Sequence, residues 1–563
     1  MADGKLSRRS ALGMGLAGVA GLAGSGLIAQ SAAAAPNDQV NPGPTPIAAS
    51  PPAVKVLPTD PQYIDCTRGL NTRFIGTPES VRIVSCTDQV VAVVQEAVQT
   101  GKRVSVISSG HCYENFIFNP DVQIVIDMTM MKSTYFDPHM NAVAVESGGT
   151  VLETYKAMYK EWGVTIPAGF CYSVAMGGHV AGGGWGPLCR TLGLVVDHLY
   201  AVEVVVVDAT GKARAVVATR NANDPNSDLW WGNTGGGGLN FGVITRYWFR
   251  SPNATGTTPQ TMLPKPPHDV LLNAISFNWN EVNQQQFSTL AQNYASWHYA
   301  NRQPGNPNNV VTSYLLLNHV SNGQLGLITQ VDATAPNAQQ ILDDYVAAIT
   351  AGVSATPAAL TNRMGEFGPM PDLVQARQLP WLEATRFQAT TNPPLADPTY
   401  RAKYKSTYML NTFPPNQLAA LYTHLNNPAI NNPLAAVQFT PYGGQIGAVD
   451  PAATAIPHRH AIFKMLWTTQ WIDPADDNTN MNWMRTGYRN VYSDTGGVPV
   501  PNSVTDGCYV NYPDVDLSDP TQNTSTTPWS ALYYKDNYAR LQQVKKKWDP
   551  RNVFRHAQSI ELP

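Results

Sequence analysis

The sequence predicts an α+β architecture in two parts. Short apolar strands alternate with amphipathic helices between residues 80 and 207, glycine-dense turns interrupt them, and the texture changes after about residue 255. Glycine and proline, at 44 each in 563 residues, favour loop-rich β or α/β structure over a helical bundle. This length is ample for two large cores and too great for one compact domain. Charge is balanced, with 37 basic and 40 acidic residues and a net −3. No basic face points to nucleic acid, and Lys545-Lys546-Lys547 reads as a solvated helix face.

The N-terminus is a separate matter. Ser7-Arg8-Arg9-Ser10-Ala11-Leu12 precedes a weakly apolar, glycine-rich run to about Ala29, then Ala32 to Ala35 before Pro36. The pattern predicts a twin-arginine export signal over residues 1–35, ending in a small-residue cleavage region. The run is nearly long enough to anchor in a bilayer, but its glycines argue for cleavage. The expectation is a secreted bacterial protein, exported already folded, with no membrane association after cleavage. Residues 36–60 are proline-rich and read as an extended lead-in. Six cysteines, at 66, 86, 112, 171, 189 and 508, face an oxidising destination that permits disulfides. No C-x-x-C or histidine spacing suggests a metal site.

The first part, residues 61–254, carries the clearest periodicity. Asp88 can cap a helix whose Val90, Val91, Val94 and Val98 share one face and which Gly101 stops. Val104 to Ile107 and Val122 to Ile126 read as strands. Thr150 with Glu153 forms a capping box for a helix striped by Leu152, Tyr155, Tyr159 and Trp162 and ended by Gly163. Val202 to Val207 is a buried strand. Between 255 and 505, Asn, Gln, Thr and Pro are frequent and aromatics are scattered, which suggests an inserted second domain. Residues 506–563 return to the first and end in a helix around Tyr538, Leu541, Val544 and Trp548.

Chemistry concentrates in three glycine clusters. One is Ser108-Ser109-Gly110-His111-Cys112-Tyr113. The densest runs from Pro167 to Gly186 and holds seven glycines with Cys171 among them, including Gly177-Gly178-His179 and Gly182-Gly183. The third runs from Trp231 to Val243 and includes Gly242. Glycine lets a backbone press closely on a ligand, and backbone amides near Ser108 to Gly110 and Gly177 to Gly183 can cradle a pyrophosphate. None of the three matches the G-x-G-x-x-G dinucleotide fingerprint.

In order and content these clusters resemble the vanillyl-alcohol-oxidase superfamily of flavoproteins, and within it the berberine-bridge-enzyme-like oxidases, which carry FAD on two covalent bonds. The resemblance runs from about residue 60 to the C-terminus. It implies a vanillyl-alcohol-oxidase-type FAD-binding domain and an inserted substrate domain built as an antiparallel sheet backed by helices. It also implies that His111 binds the flavin 8α carbon and Cys171 flavin C6. Cys112 lacks the downstream Gly-Gly-His that marks Cys171. Loop amides around Cys171 are expected to help lower its pKa toward the reactive thiolate. The segment Asn240 to Thr245, with Gly242 and Val243, resembles the family's strand beside the adenine and ribitol, and the tail Phe554 to Ile560 its closing motif.

Two segments are candidates for catalysis. Cys508-Tyr509-Val510-Asn511-Tyr512-Pro513-Asp514 resembles the family's Tyr-x-Asn-Tyr-x-Asp strand, whose second tyrosine is commonly the base. Strand alternation would turn Tyr512 toward substrate and Asn511 toward cofactor. A phenol with a pKa near 10 needs neighbouring donors to act as a base. In Pro441-Tyr442-Gly443-Gly444-Gln445-Ile446-Gly447, Gly447 stands where the plant alkaloid-cyclising members carry a glutamate base, which favours alcohol oxidation. Tyr442 resembles a second active-site tyrosine of bacterial antibiotic-tailoring members, and Trp185 stands where many relatives have tyrosine.

The sequence thus points to a secreted FAD-dependent oxidase acting on a small-molecule partner. That partner is a secondary alcohol of a sugar, a glycoside or a polyketide-type metabolite, with dioxygen reduced to hydrogen peroxide. The alternatives are a lactone-forming oligosaccharide oxidase and a non-catalytic flavin- or carbohydrate-binding protein.

Overall fold

The computed structural model describes residues 50–390 and 397–563. The expected export signal and most of the proline-rich lead-in lie outside them. Three sheets carry the fold. The first holds four strands in the order Val54–Val56, Ser80–Ile83, Ile124–Asp127, Val104–Ile107, with parallel pairs everywhere except between the first two. The lead-in expected to run extended to residue 60 therefore already pairs at Val54–Val56. The helix Thr87–Thr100 covers this sheet with Val90, Val93, Val94 and Ala97, and Gly101 ends it at φ +66°.

The second sheet is antiparallel, in the order Thr134–Asp137, Ala142–Glu146, Val243–Phe249, Leu199–Val207, Ala213–Thr219. Against it packs the helix Val151–Trp162, whose capping box forms as expected between Thr150 and Glu153 and whose end lies at Gly163 in the left-handed region. Strand begins only at Val243, so Asn240 to Gly242 is a turn leading into it.

The third sheet is the large one. It runs Ala358–Ala359, Asp269–Asn278, Gln324–Asp332, Val311–Asn318, Ala436–Pro441, Phe463–Trp471, Arg401–Met409, all antiparallel, with Arg377–Pro380 also paired to Asp269–Asn278. The helix Asp477–Val491 covers one face through Tyr488, whose ring meets Trp467 edge-on at 5.5 Å. The other face turns toward the first part of the chain, where Tyr314 meets Phe170 at 5.6 Å. Residues 50–563 form one compact unit, and a single hydrophobic core continues from the second sheet into the third. All six cysteines are free thiols.

Candidate active site

Residues opposite each other in an antiparallel ladder share a face, so strand register decides what the large sheet presents to the first part. Lys464 lies opposite Thr440 on one side and Tyr408 on the other. Gln438, two residues before Thr440, is therefore its diagonal neighbour on the same face. Lys464 and Gln438 line a cavity of about 300 Å³ between this face and the glycine clusters. Glu366 joins them from a loop, and its carboxylate accepts from Tyr404 Oη at 3.2 Å.

The opposite wall is made by two loops tied together. The chain leaves the strand Val104–Ile107 and turns at Gly110, φ +80°, where a Cβ would crowd Gly69 at 3.1 Å. Ser109 Oγ accepts from the Ala175 amide at 2.8 Å, and His111 Nε2 meets Ser173 Oγ at 3.0 Å. These contacts bring the His111 loop onto the Cys171 loop, and both residues line the cavity. Burial lowers His111 to about 4, which leaves the imidazole neutral and nucleophilic at neutral pH. The expected lowering of Cys171 is not found. Burial first, then the Glu366 carboxylate, pushes its thiol up, and the nearby Gly169 amide donates to His179 Nε2 at 3.1 Å instead.

Ser108, Gly177, Gly178, His179, Gly242, Val243 and Asn511 also reach the cavity wall. Two of these glycines have different reasons to be glycine. At Gly177 a Cβ would strike Ser108 Oγ at 2.4 Å, so the residue lets the helix Met176–Ala181 pack on the first loop. At Gly178 a Cβ would meet nothing within 4 Å, and the same holds for Gly238 across the cavity. Gly182 and Gly183 do not reach the wall. A Cβ on Gly182 would lie 2.0 Å from Asn511 Oδ1, and one on Gly183 would lie 2.8 Å from Ile456, so both serve close packing rather than the expected cradle.

Tyr512 lines the cavity but not from a strand. Residues 506–514 form no ladder, and the Tyr512 amide donates to Tyr509 O at 2.9 Å in a turn. This turn, rather than strand alternation, separates Asn511 from Tyr512. Asn511 Nδ2 donates to His179 O at 3.0 Å and to Tyr509 Oη at 3.1 Å. Burial, then Glu366, holds the Tyr512 phenol well above its usual pKa. The donor beside it is Lys464, whose Nζ lies 3.3 Å from Tyr512 Oη and 4.6 Å from the ring centroid. The same Nζ sits over Trp185 at 4.2 Å and Tyr509 at 4.3 Å, and burial lowers it to about 7.

Tyr442 is not at the cavity. Its side chain is fully buried one layer behind, edge-on to Tyr408 at 5.2 Å. The reason is tertiary: its amide donates to Ile462 O, and the Arg190 guanidinium donates to its carbonyl at 2.6 Å, so backbone bonds set it into the core. Sequence reasoning missed Lys464, Gln438 and Glu366. A lone lysine in Phe463-Lys464-Met465-Leu466-Trp467 and a lone glutamine in Val437-Gln438-Phe439 were the available signals, since buried strands seldom hold unpaired polar groups.

Whether FAD suits this cavity can be judged from the wall. Gly178 and Gly238 leave open surface where any side chain would intrude, and Gln558 Oε1 is buried there without a hydrogen-bond partner among the described residues. Both features fit a ligand laid against the backbone. Residues 78–216 match the family model described as FAD binding domain, and residues 508–561 match Berberine and berberine like. The chain is 46% identical to the aclacinomycin-N/aclacinomycin-A oxidase of Streptomyces galilaeus over 91% of its own length and 90% of that protein. The chain belongs to the berberine-bridge-enzyme-like FAD-linked oxidases. It is 30% identical to the hexose oxidase of Chondrus crispus, over 89% and 93% of the two chains. Among solved structures, a glycopeptide hexose oxidase complexed with teicoplanin superposes with a TM-score of 0.84 at 42% identity, covering 91% of this chain and all of that one. The protein is accordingly an FAD-dependent oxidoreductase, and its wall residues from Ser108 to His111, Gly177 to His179 and Gly238 to Asn240, with Gly242 and Val243, would hold the cofactor.

Proposed function

We propose that this protein oxidises a secondary alcohol on a sugar, a glycoside or a polyketide-type metabolite, with Tyr512 as the base. The contact between Lys464 Nζ and Tyr512 Oη carries this reading. Tyr512 takes the hydroxyl proton of the substrate as its carbon gives up hydride. Lys464 stabilises the phenolate by direct donation and from above the rings of Tyr509 and Tyr512. FAD supplies the two-electron acceptor, and dioxygen leaves as hydrogen peroxide, so two electrons and two protons balance. Gln438 Oε1 is buried at the cavity without a partner among the described residues, which suits a substrate that brings hydroxyl donors. The named activities of the relatives, on aclacinomycins and on hexoses, agree in substrate class.

Tyr512→Phe removes one hydroxyl and keeps the packing. Loss of the base should slow anaerobic, substrate-driven flavin reduction by about 10²–10⁴ while reoxidation by dioxygen changes little. Near-normal reduction would remove Tyr512 from this role.

We further infer that FAD is held covalently through His111 and Cys171. The two side chains line one cavity on loops joined by Ser109 and Ser173. Acid-precipitated protein should stay yellow, and tryptic peptides containing each residue should carry flavin mass. A colourless precipitate above a yellow supernatant rejects the linkage. The twin-arginine segment supports secretion, and N-terminal sequencing of protein from the culture medium tests it.

A further inference from the structure

Behind Tyr512 lies a buried group of charges that the oxidation does not use. Lys403 and Lys405 stand two residues apart on the edge strand Arg401–Met409. They point to the helix side of the sheet, where Lys405 Nζ sits 5.0 Å from the Tyr488 ring centroid. Lys403 Nζ binds Glu114 and, at 2.7 Å, Asp514. Lys405 Nζ binds Asp514 at 2.6 Å and Asp516 at 2.8 Å, and Arg485 closes the group on Asp516 at 2.7 Å. Three cations meet three carboxylates. Except for Arg485, no side chain in the group is more than 3% exposed.

The partners' places in the chain give the group its meaning. Glu114 follows His111 by three residues, and Asp514 follows Tyr512 by two. One ammonium, that of Lys403, therefore touches both the loop bearing His111 and the turn bearing Tyr512. No ladder sets the position of that turn. Single hydrogen bonds tie it elsewhere: Cys508 N to Leu532 O, Tyr509 N to Ser406 Oγ at 3.0 Å, Asn511 Nδ2 to His179 O at 3.0 Å, Lys464 Nζ to Tyr512 Oη at 3.3 Å, Asp514 N to Tyr533 Oη at 2.9 Å, and Gln558 Nε2 to Asp514 O at 2.8 Å. On the cavity side Tyr113 stacks on Tyr404 with centroids 3.7 Å apart and lies 5.9 Å from Tyr512. Stacking depends weakly on lateral offset, whereas Lys403 Nζ reaches Glu114 and Asp514 together only while the loop and the turn lie side by side.

Buried ion pairs add little net stability over apolar groups of the same size, because desolvation offsets their attraction. In some proteins such groups instead select one geometry. Catalysis is sensitive to geometry, and a shift of about 1 Å can cost roughly 10²-fold in rate. We propose that Lys403 and Asp514 are positioning residues that hold Tyr512 in register with the His111 loop across the cavity. The inference rests on the reading of Tyr512 as base.

The test uses flavin-loaded Asp514→Asn, which keeps the shape and removes the charge, beside Tyr512→Phe and the double variant. Substrate-driven flavin reduction should fall at least fivefold in Asp514→Asn. Amide hydrogen exchange should rise across residues 508–516 and not in the large sheet. In the Tyr512→Phe background the same substitution should change reduction less than twofold, because a residue acting through Tyr512 has nothing left to position. A loss below fivefold, unchanged exchange, or a twofold or larger loss in the Tyr512→Phe background overturns the proposal. If Asp514→Asn does not fold, Glu114→Gln is held to the same criteria, with exchange read across 111–116. A normal Asp514→Asn beside a crippled Tyr512→Phe rejects the clamp alone; a normal Tyr512→Phe rejects the base and the clamp with it.

Discussion

At Lys464 burial works against the ammonium and brings its pKa down to about 7, beside a phenol that burial pushes up. Below pH 7 the pair keeps both protons and no base is present. As pH rises through 7 the pair loses one proton, and the phenol can then pass its own toward Lys464. The rate of flavin reduction should therefore fall on the acid side of about pH 7, by roughly tenfold per pH unit at the limit. Lys464→Met leaves Tyr512 with only its burial-raised pKa. The limb should move toward alkaline pH by at least ~1 unit, and the rate at pH 7 should drop. Stopped-flow reduction across pH 6–10 reads both effects. A limb unmoved in Lys464→Met takes Lys464 out of the proton path. Tyr442, buried behind this pair, has no such role, so Tyr442→Phe should leave the pH profile of reduction in place.

Among the elements, the glycine-bearing segments divide into those that fit the protein and those that leave room for the cofactor. Gly177, Gly182 and Gly183 are crowded by Ser108, Asn511 and Ile456, while Gly178 and Gly238 face open cavity. Gly177→Ala should thus destabilise the fold itself, since a Cβ would strike Ser108 Oγ and Ser147 O. Gly178→Ala and Gly238→Ala should leave the thermal midpoint of flavin-free protein unchanged and lower the flavin content of purified protein. Absorbance near 450 nm against 280 nm, with calorimetry of the flavin-free forms, separates the two classes. Full flavin content in both Gly178→Ala and Gly238→Ala would show that those surfaces do not touch the cofactor.

Across the whole molecule, the two parts are joined by a buried charge pair. Arg459, fully buried in the second part, donates to Asp197 in the first at 3.0 and 2.9 Å. Asp197 also accepts from the Leu194 amide at 2.7 Å. Asp197→Ala leaves the buried guanidinium with Thr454 Oγ1 but without its charge partner, a loss that typically costs about 3–5 kcal/mol. A fall of that size should appear in urea unfolding, with one transition if the parts unfold together and two if this pair is what couples them. An unchanged midpoint would show that water replaces the carboxylate.

The sequence by itself determined several of the local elements. Helix stops at Gly101 and Gly163 and the Thr150 capping box depend on neighbours a few residues away, and such dependence is readable from spacing; the His111 and Cys171 segments were legible through their resemblance to a family. The tertiary structure decided the rest. Lys464 and Gln438 become neighbours only through the register of strands 26 residues apart, and Lys403 meets Glu114 and Asp514 only after two distant segments close on one edge strand. Tyr442 and Tyr512 look alike as tyrosines in motifs, yet backbone bonds to Ile462 and Arg190 draw one into the core while a turn at Tyr509 delivers the other to the cavity. Burial also reversed the expectation for Cys171, because a thiol's ionisation depends on the dielectric that the whole fold builds around it, which no local motif encodes.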